Sequence, residues 1–163
     1  MSYPEPRYHG ATGEVTATYR PVNASPDVVY PTGNAVHYLA TGEATHGLFG
    51  LYRWDFGPEP SGPDPHFHRT LTESFYILTG TVRIYDGIRW IDTEPGDFVH
   101  VPEGGIHGFR NESGALASML IHFSPGAPRE GYFEGLAEFA RSGRPGAGEL
   151  EAFYRAHDNE WLK

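Results

Sequence analysis

His66-Phe-His-Arg-Thr-Leu-Thr-Glu73, together with His107 further along the chain, is the most informative stretch of this sequence. Residues i and i+2 of a strand share one face, so His66 and His68 are expected to point the same way while Phe67 points away. The chain can turn after His68 and bring the Glu73 carboxylate back towards the same point. Three imidazoles and one carboxylate form a ligand set for a divalent transition metal. The sequence therefore predicts one metal site.

The composition favours one compact domain rich in β-structure. A length of 163 residues suits a single domain with its own apolar core. The 21 glycines, 14 prolines, 10 tyrosines and 10 phenylalanines are typical of short strands joined by tight turns. Cysteine is absent, which excludes disulfides, thiolate ligands and a cysteine nucleophile. Every metal ligand must therefore come from His, Asp or Glu.

The charge distribution excludes nucleic acid as an expected partner. The formal net charge is −9, and no cluster of Lys and Arg is present to contact phosphates. No apolar stretch approaches the length needed to cross a membrane, and residues 1–13 lack the basic start and apolar run of a signal peptide. We therefore expect a cytoplasmic protein that acts on a small molecule, with no membrane partner.

Short apolar and aromatic segments at near-regular spacing predict about eight strands, which is the pattern of a β-sandwich or barrel. These segments cover residues 35–40, 47–56, 72–78, 81–86, 88–92, 97–101, 107–111 and 117–123. Residues 14–19 are expected to form either another short strand or an arm that adds to a sheet edge. The proline-rich segment 57–65 is expected to be a stiff loop, because proline cannot donate to a strand ladder.

The apolar period changes to that of a helix after Ser124-Pro-Gly126. Two runs show this spacing, namely Phe133, Leu136, Ala137 and Ala140, and then Leu150, Phe153, Tyr154 and His157. We expect two amphipathic helices packed outside the β unit. The predicted organisation is an N-terminal arm (1–34), a β-barrel (35–124) and a C-terminal helical extension (125–163) that belongs to the same single domain.

The residues around the predicted ligands match two motifs, and through them the chain resembles the cupin superfamily, in a single-domain form similar to the quercetinases. The first motif, G-x5-H-x-H-x3,4-E-x6-G, corresponds to His66, His68, Glu73 and Gly80. The second motif, G-x5-P-x-G-x2-H-x3-N, is matched by Gly96, Pro102, Gly104, His107 and Asn111. One departure is visible: the leading glycine of the first motif falls on Pro60, with Gly62 as the nearest substitute.

The resemblance implies an all-β fold, a small double-stranded β-barrel of the cupin or jelly-roll type, with the metal in its interior. It also implies that His66, His68, Glu73 and His107 are the ligands of one divalent ion. Glu73 would then also be the catalytic base that takes up the proton of the substrate. The ligand set is compatible with Ni, Mn, Fe, Co, Cu or Zn.

Five residues are predicted to line the substrate pocket. Phe75 and Ile77 share strand parity with Glu73, and Phe109 shares it with His107, so all three are expected to face inward. His122 lies in a strand expected to border the cavity and is a candidate proton carrier. Arg53 is a candidate anchor for an anionic group, although a strand arginine usually reaches solvent.

Three functions remain open from the sequence. The resemblance to quercetinases implies a metal-dependent dioxygenase that acts on an enolisable aromatic, flavonol-like small molecule. The second function is a non-oxidative cyclase or isomerase of a polyketide or sugar-like substrate, and the third is a metal-binding cupin without catalysis. Apolar helices and exposed strand edges also lead us to expect a homodimer.

Overall fold

Two antiparallel sheets face each other in the computed structural model, which describes residues 2–162. The strands in this part of the chain are β1 (Val28–Val29), β2 (Ala35–Ala40), β3 (Gly50–Phe56), β4 (His66–Phe67), β5 (Thr72–Thr79), β6 (Val82–Tyr85), β7 (Trp90–Thr93), β8 (Phe98–Val101), β9 (Gly108–Arg110), β10 (Ala117–Ser124) and β11 (Glu160–Trp161). Six strands form one sheet in the order β1-β2-β3-β10-β5-β8, and three form the other in the order β7-β6-β9. β11 pairs with β4.

The apolar core lies between the two sheets. Buried and half-buried residues alternate along β3 and β10, as expected for strands that turn one face inward. The inward ring of Phe109 in β9 lies 6.0 Å from the ring of Trp54 in β3. The same ring lies 5.5 Å from that of Phe75 in β5. These contacts join the two sheets into one barrel, so the predicted all-β fold is confirmed.

The helices are α1 (Glu130–Ser142) and α2 (Ala147–Ala156), and both lie outside the barrel as predicted. α1 covers the barrel opening, where the ring of Phe133 lies 5.2 Å from that of Tyr52 and 5.8 Å from that of Trp54. α2 packs against α1 through Phe153. Gly135 makes this contact possible, since a Cβ there would lie 2.5 Å from the Phe153 ring. Among residues 2–162, no helix has the length and apolar character needed to span a bilayer.

The element boundaries differ from the prediction in several places. The strand expected from residue 47 begins at Gly50, because the preceding residues form a turn in which Gly47 N donates to Gly42 O at 2.7 Å. Residues 14–19 form no strand. The two-residue strands β1 and β11 were not predicted, because two residues are too few to show a period. β4 is shorter than the strand expected to carry both His66 and His68, since it ends at Phe67.

Gly80 provides a test of the close approach between the β5–β6 turn and the start of β10. Its φ is +71°, and a Cβ at this position would lie 2.5 Å from Leu116 O. We expect Gly80→Ala to lower the free energy of unfolding by about 2–4 kcal/mol, because the clash adds to the strain of a left-handed residue. Denaturant titration measures this loss.

Gly114→Ala is the matched control, because Gly114 has a φ of +72° but open space around its Cβ position. Only the conformational strain applies there, and a loss of about 1–2 kcal/mol is expected. Equal losses in the two variants would contradict the close approach at Gly80.

Candidate metal centre

The four predicted ligands meet at one buried point inside the barrel. His66 begins β4, and Glu73 lies near the start of β5. A backbone bridge joins His66 to His107, with N to O distances of 2.8 and 2.9 Å. The ligand atoms of His66, His68, Glu73 and His107 all lie within 4.8 Å of one another, and all four residues are buried.

Each imidazole is oriented by a backbone carbonyl. Nδ1 of His66 lies 2.9 Å from Asp64 O, and Nδ1 of His107 lies 2.9 Å from Gly105 O. Nδ1 of His68 lies 2.5 Å from Asp158 O. A carbonyl oxygen only accepts hydrogen bonds, so Nδ1 carries a proton in all three rings. The Nε2 lone pair of His66 is then free for a metal, whereas Nε2 of His68 and of His107 donates to Glu73 Oε2 and gives up that proton when a metal binds. Carbonyl partners of this kind are typical of histidine ligands.

Hydrogen bonds hold the Glu73 carboxylate against the histidines. Its Oε2 lies 2.7 Å from His107 Nε2 and 3.0 Å from His68 Nε2. Burial opposes ionisation of Glu73, but the hydrogen bonds to His107 and His68 outweigh it and hold the pKa of the carboxyl well below its usual value. Burial, followed by the charge of His107, lowers the pKa of His66 to about 3. The cluster thus contains an ionised carboxylate and a neutral His66, which are the forms that bind metals.

The donor set fits a divalent transition metal. Imidazole nitrogen and carboxylate oxygen are ligands shared by the series from Mn to Zn. Burial lowers the pKa of His107, but its hydrogen bond and attraction to Glu73 raise the pKa overall, so a metal competes with a proton at this ring. Four protein donors would leave positions for substrate on a five- or six-coordinate ion.

The C-terminal segment of the described chain supports the ligand strand. Besides the carbonyl contact to His68, Asp158 accepts hydrogen bonds through its carboxylate from the backbone N atoms of Arg69 and Thr70, at 2.9 and 2.8 Å. β11 pairs with β4, and the Trp161 ring lies 5.1 Å from the His66 ring. Sequence reasoning missed this support, because nothing local indicates that Asp158 meets a residue 90 positions earlier.

A cavity of about 450 Å³ adjoins the cluster and is lined by His66 and Glu73. Its walls are mainly aromatic, with contributions from Trp54, Phe109, Phe123, Phe133 and Trp161. Phe109 was expected in the pocket, whereas the residues from α1 and the C-terminal segment were not. Strand parity carries no information about which helix covers a barrel opening.

The other pocket candidates lie elsewhere. Phe75 and Ile77 face inward as expected, but they are buried in the core and do not line the cavity. The prediction that Arg53 and His122 line the pocket was wrong, because both lie on the outward face of the larger sheet. Arg53 alternates with the inward-facing residues of β3 and pairs with Asp55 at 3.1 Å. His122 alternates with those of β10 and stacks on Phe49 at 5.5 Å.

Gly62 takes the place of the missing motif glycine at Pro60. Its φ is +140°, and a Cβ at this position would clash with the carbonyl oxygen of Phe109. Only glycine therefore allows the loop before β4 to approach β9 so closely. The change at Pro60 shifts the glycine by two positions and leaves the four ligands in place.

Comparison with known proteins confirms the resemblance deduced from the motifs. Residues 52–123 match the family described as the cupin domain. Over 83 residues the chain is 32% identical to quercetin 2,3-dioxygenase from Bacillus subtilis. The aligned region is 50% of this chain and 24% of that protein, so the chain spans about a quarter of the length of this relative.

Solved structures show the same fold. The structure of KdgF from Halomonas sp. gives a TM-score of 0.61 at 16% identity and covers 71% of this chain and 99% of that one. The polyketide cyclase RemF from Streptomyces resistomycificus gives a TM-score of 0.55 at 21% identity and covers 67% and 79% of the two chains. At these identities the likeness is one of fold.

The Asp158 side chain offers a test of the support for His68. We expect Asp158→Ala to weaken zinc binding by about 10-fold or more, because the carboxylate holds the turn after His68 and with it the Asp158 carbonyl that orients the ring. Competition with a chromogenic chelator measures the affinity. Glu160→Ala is the control, since Glu160 makes only an exposed ion pair with Arg69 at 3.0 Å. Equal affinities in the two variants would show that Asp158 does not position the site.

Proposed function

Residues 52–123 match the cupin domain, and on this basis we propose that the chain is a metal-dependent dioxygenase acting on an enolisable aromatic, flavonol-like small molecule. The observation that carries the proposal is the ionised, buried Glu73 beside three convergent imidazoles on the wall of an aromatic cavity. The 32% identity to a quercetin 2,3-dioxygenase supports the same reaction class. The expected ion is one divalent transition metal held by His66, His68, Glu73 and His107.

A metal at this site would supply a Lewis acid for an enol or carbonyl oxygen and, if it is redox-active, a path for electrons to dioxygen. Glu73 is the residue placed to take the proton of the enol. Its hydrogen bonds to the histidines use Oε2, while Oε1 has no hydrogen-bond partner within residues 2–162. Because Glu73 lines the cavity, Oε1 is the oxygen available to a substrate hydroxyl.

The aromatic walls would orient a planar substrate and keep water from it. Trp54 and Phe109 form one side of the cavity, and their rings pack edge to face at 6.0 Å. The ring of Phe133 in α1 lies 5.8 Å from that of Trp54 and covers the opening of the barrel. Rigid aromatic side chains bind flat aromatic ligands by contact area and ring geometry at low entropic cost.

A non-oxidative cyclisation or isomerisation is the second candidate, because Glu73 can remove a proton from a carbonyl compound without dioxygen. The fold shared with the polyketide cyclase RemF is consistent with it. Of the two residues predicted to move a proton, only Glu73 lines the cavity. His122, the proton carrier expected from the sequence, lies on the outward sheet face.

Oxygen uptake tests the proposal directly. Metal-loaded protein is expected to consume dioxygen when a flavonol or an aromatic diketone is added. Glu73→Gln should reduce this rate by about 10²–10⁴-fold, because the amide cannot accept the proton. Metal content is measured in parallel, and Glu149→Gln, an exposed change on α2, is the control expected to retain full activity.

The outcome also separates the candidates. Turnover that persists under strict anaerobiosis would favour cyclisation or isomerisation. Fully metallated protein that leaves dioxygen untouched with every flavonol and diketone tried would contradict the dioxygenase.

A further inference from the structure

Arg129 is a buried cation beside the metal centre. It precedes α1 as the N-cap residue, lines the cavity and is 4% exposed. Its guanidinium carbon lies 4.3 Å from the centre of the Tyr132 ring and 4.9 Å from that of Phe123. Burying a guanidinium is unfavourable unless an anion or a complete set of hydrogen bonds compensates for the lost water.

The protein provides hydrogen-bond partners for only some of the N–H groups of this guanidinium. Nη1 donates to His157 O at 2.6 Å and to Asn159 Oδ1 at 3.1 Å, and Nη2 donates to the same Oδ1 at 3.1 Å. Nε has no partner, and no carboxylate within residues 2–162 forms a salt bridge with Arg129. Burial lowers the pKa of the guanidinium, but an arginine remains charged inside proteins.

The unpaired N–H groups lie on one edge of the guanidinium. The contacts to Asn159 use the end formed by Nη1 and Nη2, and the contact to His157 uses the outer hydrogen of Nη1. The hydrogen of Nε and the outer hydrogen of Nη2 remain. Nε itself is enclosed by protein atoms, so a carboxylate in the cavity would meet the charge of the guanidinium mainly through the outer hydrogen of Nη2.

Charge balance within the cavity agrees with an anionic ligand. A divalent ion and Arg129 together exceed the charge of Glu73 by two. Asp64 does not correct this excess, because its carboxylate is 76% exposed at the rim and pairs with Arg110. Arg144, also at the rim, adds positive charge. A ligand with two anionic groups would neutralise the enclosed part of the cavity.

We propose that Arg129 binds a carboxylate of the substrate, so that the cavity takes enolisable aromatic acids, with the enol oxygen at the metal centre and the carboxylate at the arginine. The position of the enol rests on the proposed function. The role of Arg129 as a carboxylate site is a binding property and does not depend on oxygen chemistry.

A ligand pair tests the proposal in wild-type protein loaded with zinc, which is not redox-active. Phenylpyruvate carries an enolisable ketone and a carboxylate, whereas phenylacetone keeps the ketone and lacks the carboxylate. We expect the acid to bind about 10- to 100-fold more tightly, as is usual for a charge-assisted pair. Calorimetry, or quenching of the cavity residues Trp54 and Trp161, gives both affinities.

Three variants show whether Arg129 causes a preference for the acid over the ketone. Arg129→Met should abolish the preference for the acid, and Arg129→Lys should restore part of it. Arg155→Met, which removes an equally charged but exposed side chain from α2, should leave the preference unchanged. Circular dichroism and zinc content verify the fold. If the Arg129 variants do not fold, the ligand pair is compared in metal-free wild-type protein, where a preference for the acid cannot arise from chelation of zinc.

The outcomes separate this proposal from the dioxygenase. A preference for the acid that depends on Arg129, without oxygen uptake by redox-active forms, would support the carboxylate site and count against the dioxygenase. Equal affinities for the two ligands, no binding of the acid, or an undiminished preference in Arg129→Met would overturn the role of Arg129.

Discussion

The hydrogen bond from each imidazole Nδ1 to a backbone carbonyl is the interaction on which the rest of the site depends. Asp64, Gly105 and Asp158 supply these carbonyls, and each fixes the proton on Nδ1 and the direction of one ring. A backbone carbonyl, unlike a side chain, cannot change position unless the chain itself moves. The loops that carry these three carbonyls must therefore be held in place. The position of the Nε2 atoms is therefore a property of the whole barrel.

The C-terminal part of the chain supplies one of these carbonyls and supports the strand that carries the ligands. Asp158 holds His68 and the turn after it, while β11 pairs with β4 beside the ligands. Asn159, the next residue, holds the guanidinium of Arg129 at the cavity wall. One short segment thus connects the predicted metal ligands to the buried cation. The helical extension completes the site that the barrel begins.

Sequence patterns predicted the parts of the structure that depend on local spacing. His66 and His68 share a strand face by parity, and the motif around His107 specifies the turn that brings this ring to the same point. Parity also placed Phe75 and Phe109 inward. The same rule would have excluded Arg53 and His122 from the pocket, because each alternates with buried neighbours in its strand.

The remaining features depend on contacts between distant residues. The helical period of α1 indicated an amphipathic helix but not that its apolar face covers the barrel opening through Phe133. Arg129 precedes that helix without any local sign of burial. The contact between Asp158 and His68 joins residues 90 positions apart, which no periodicity reveals.

X-ray absorption spectroscopy of the zinc-loaded protein measures whether the four converging residues coordinate one metal ion. We expect three imidazole nitrogens and one carboxylate oxygen at about 2.0–2.2 Å from the zinc. The spectrum should lose one imidazole in His107→Ala. Fewer than three imidazoles in the wild-type protein, or a spectrum unchanged in that variant, would show that these four residues do not bind the metal together.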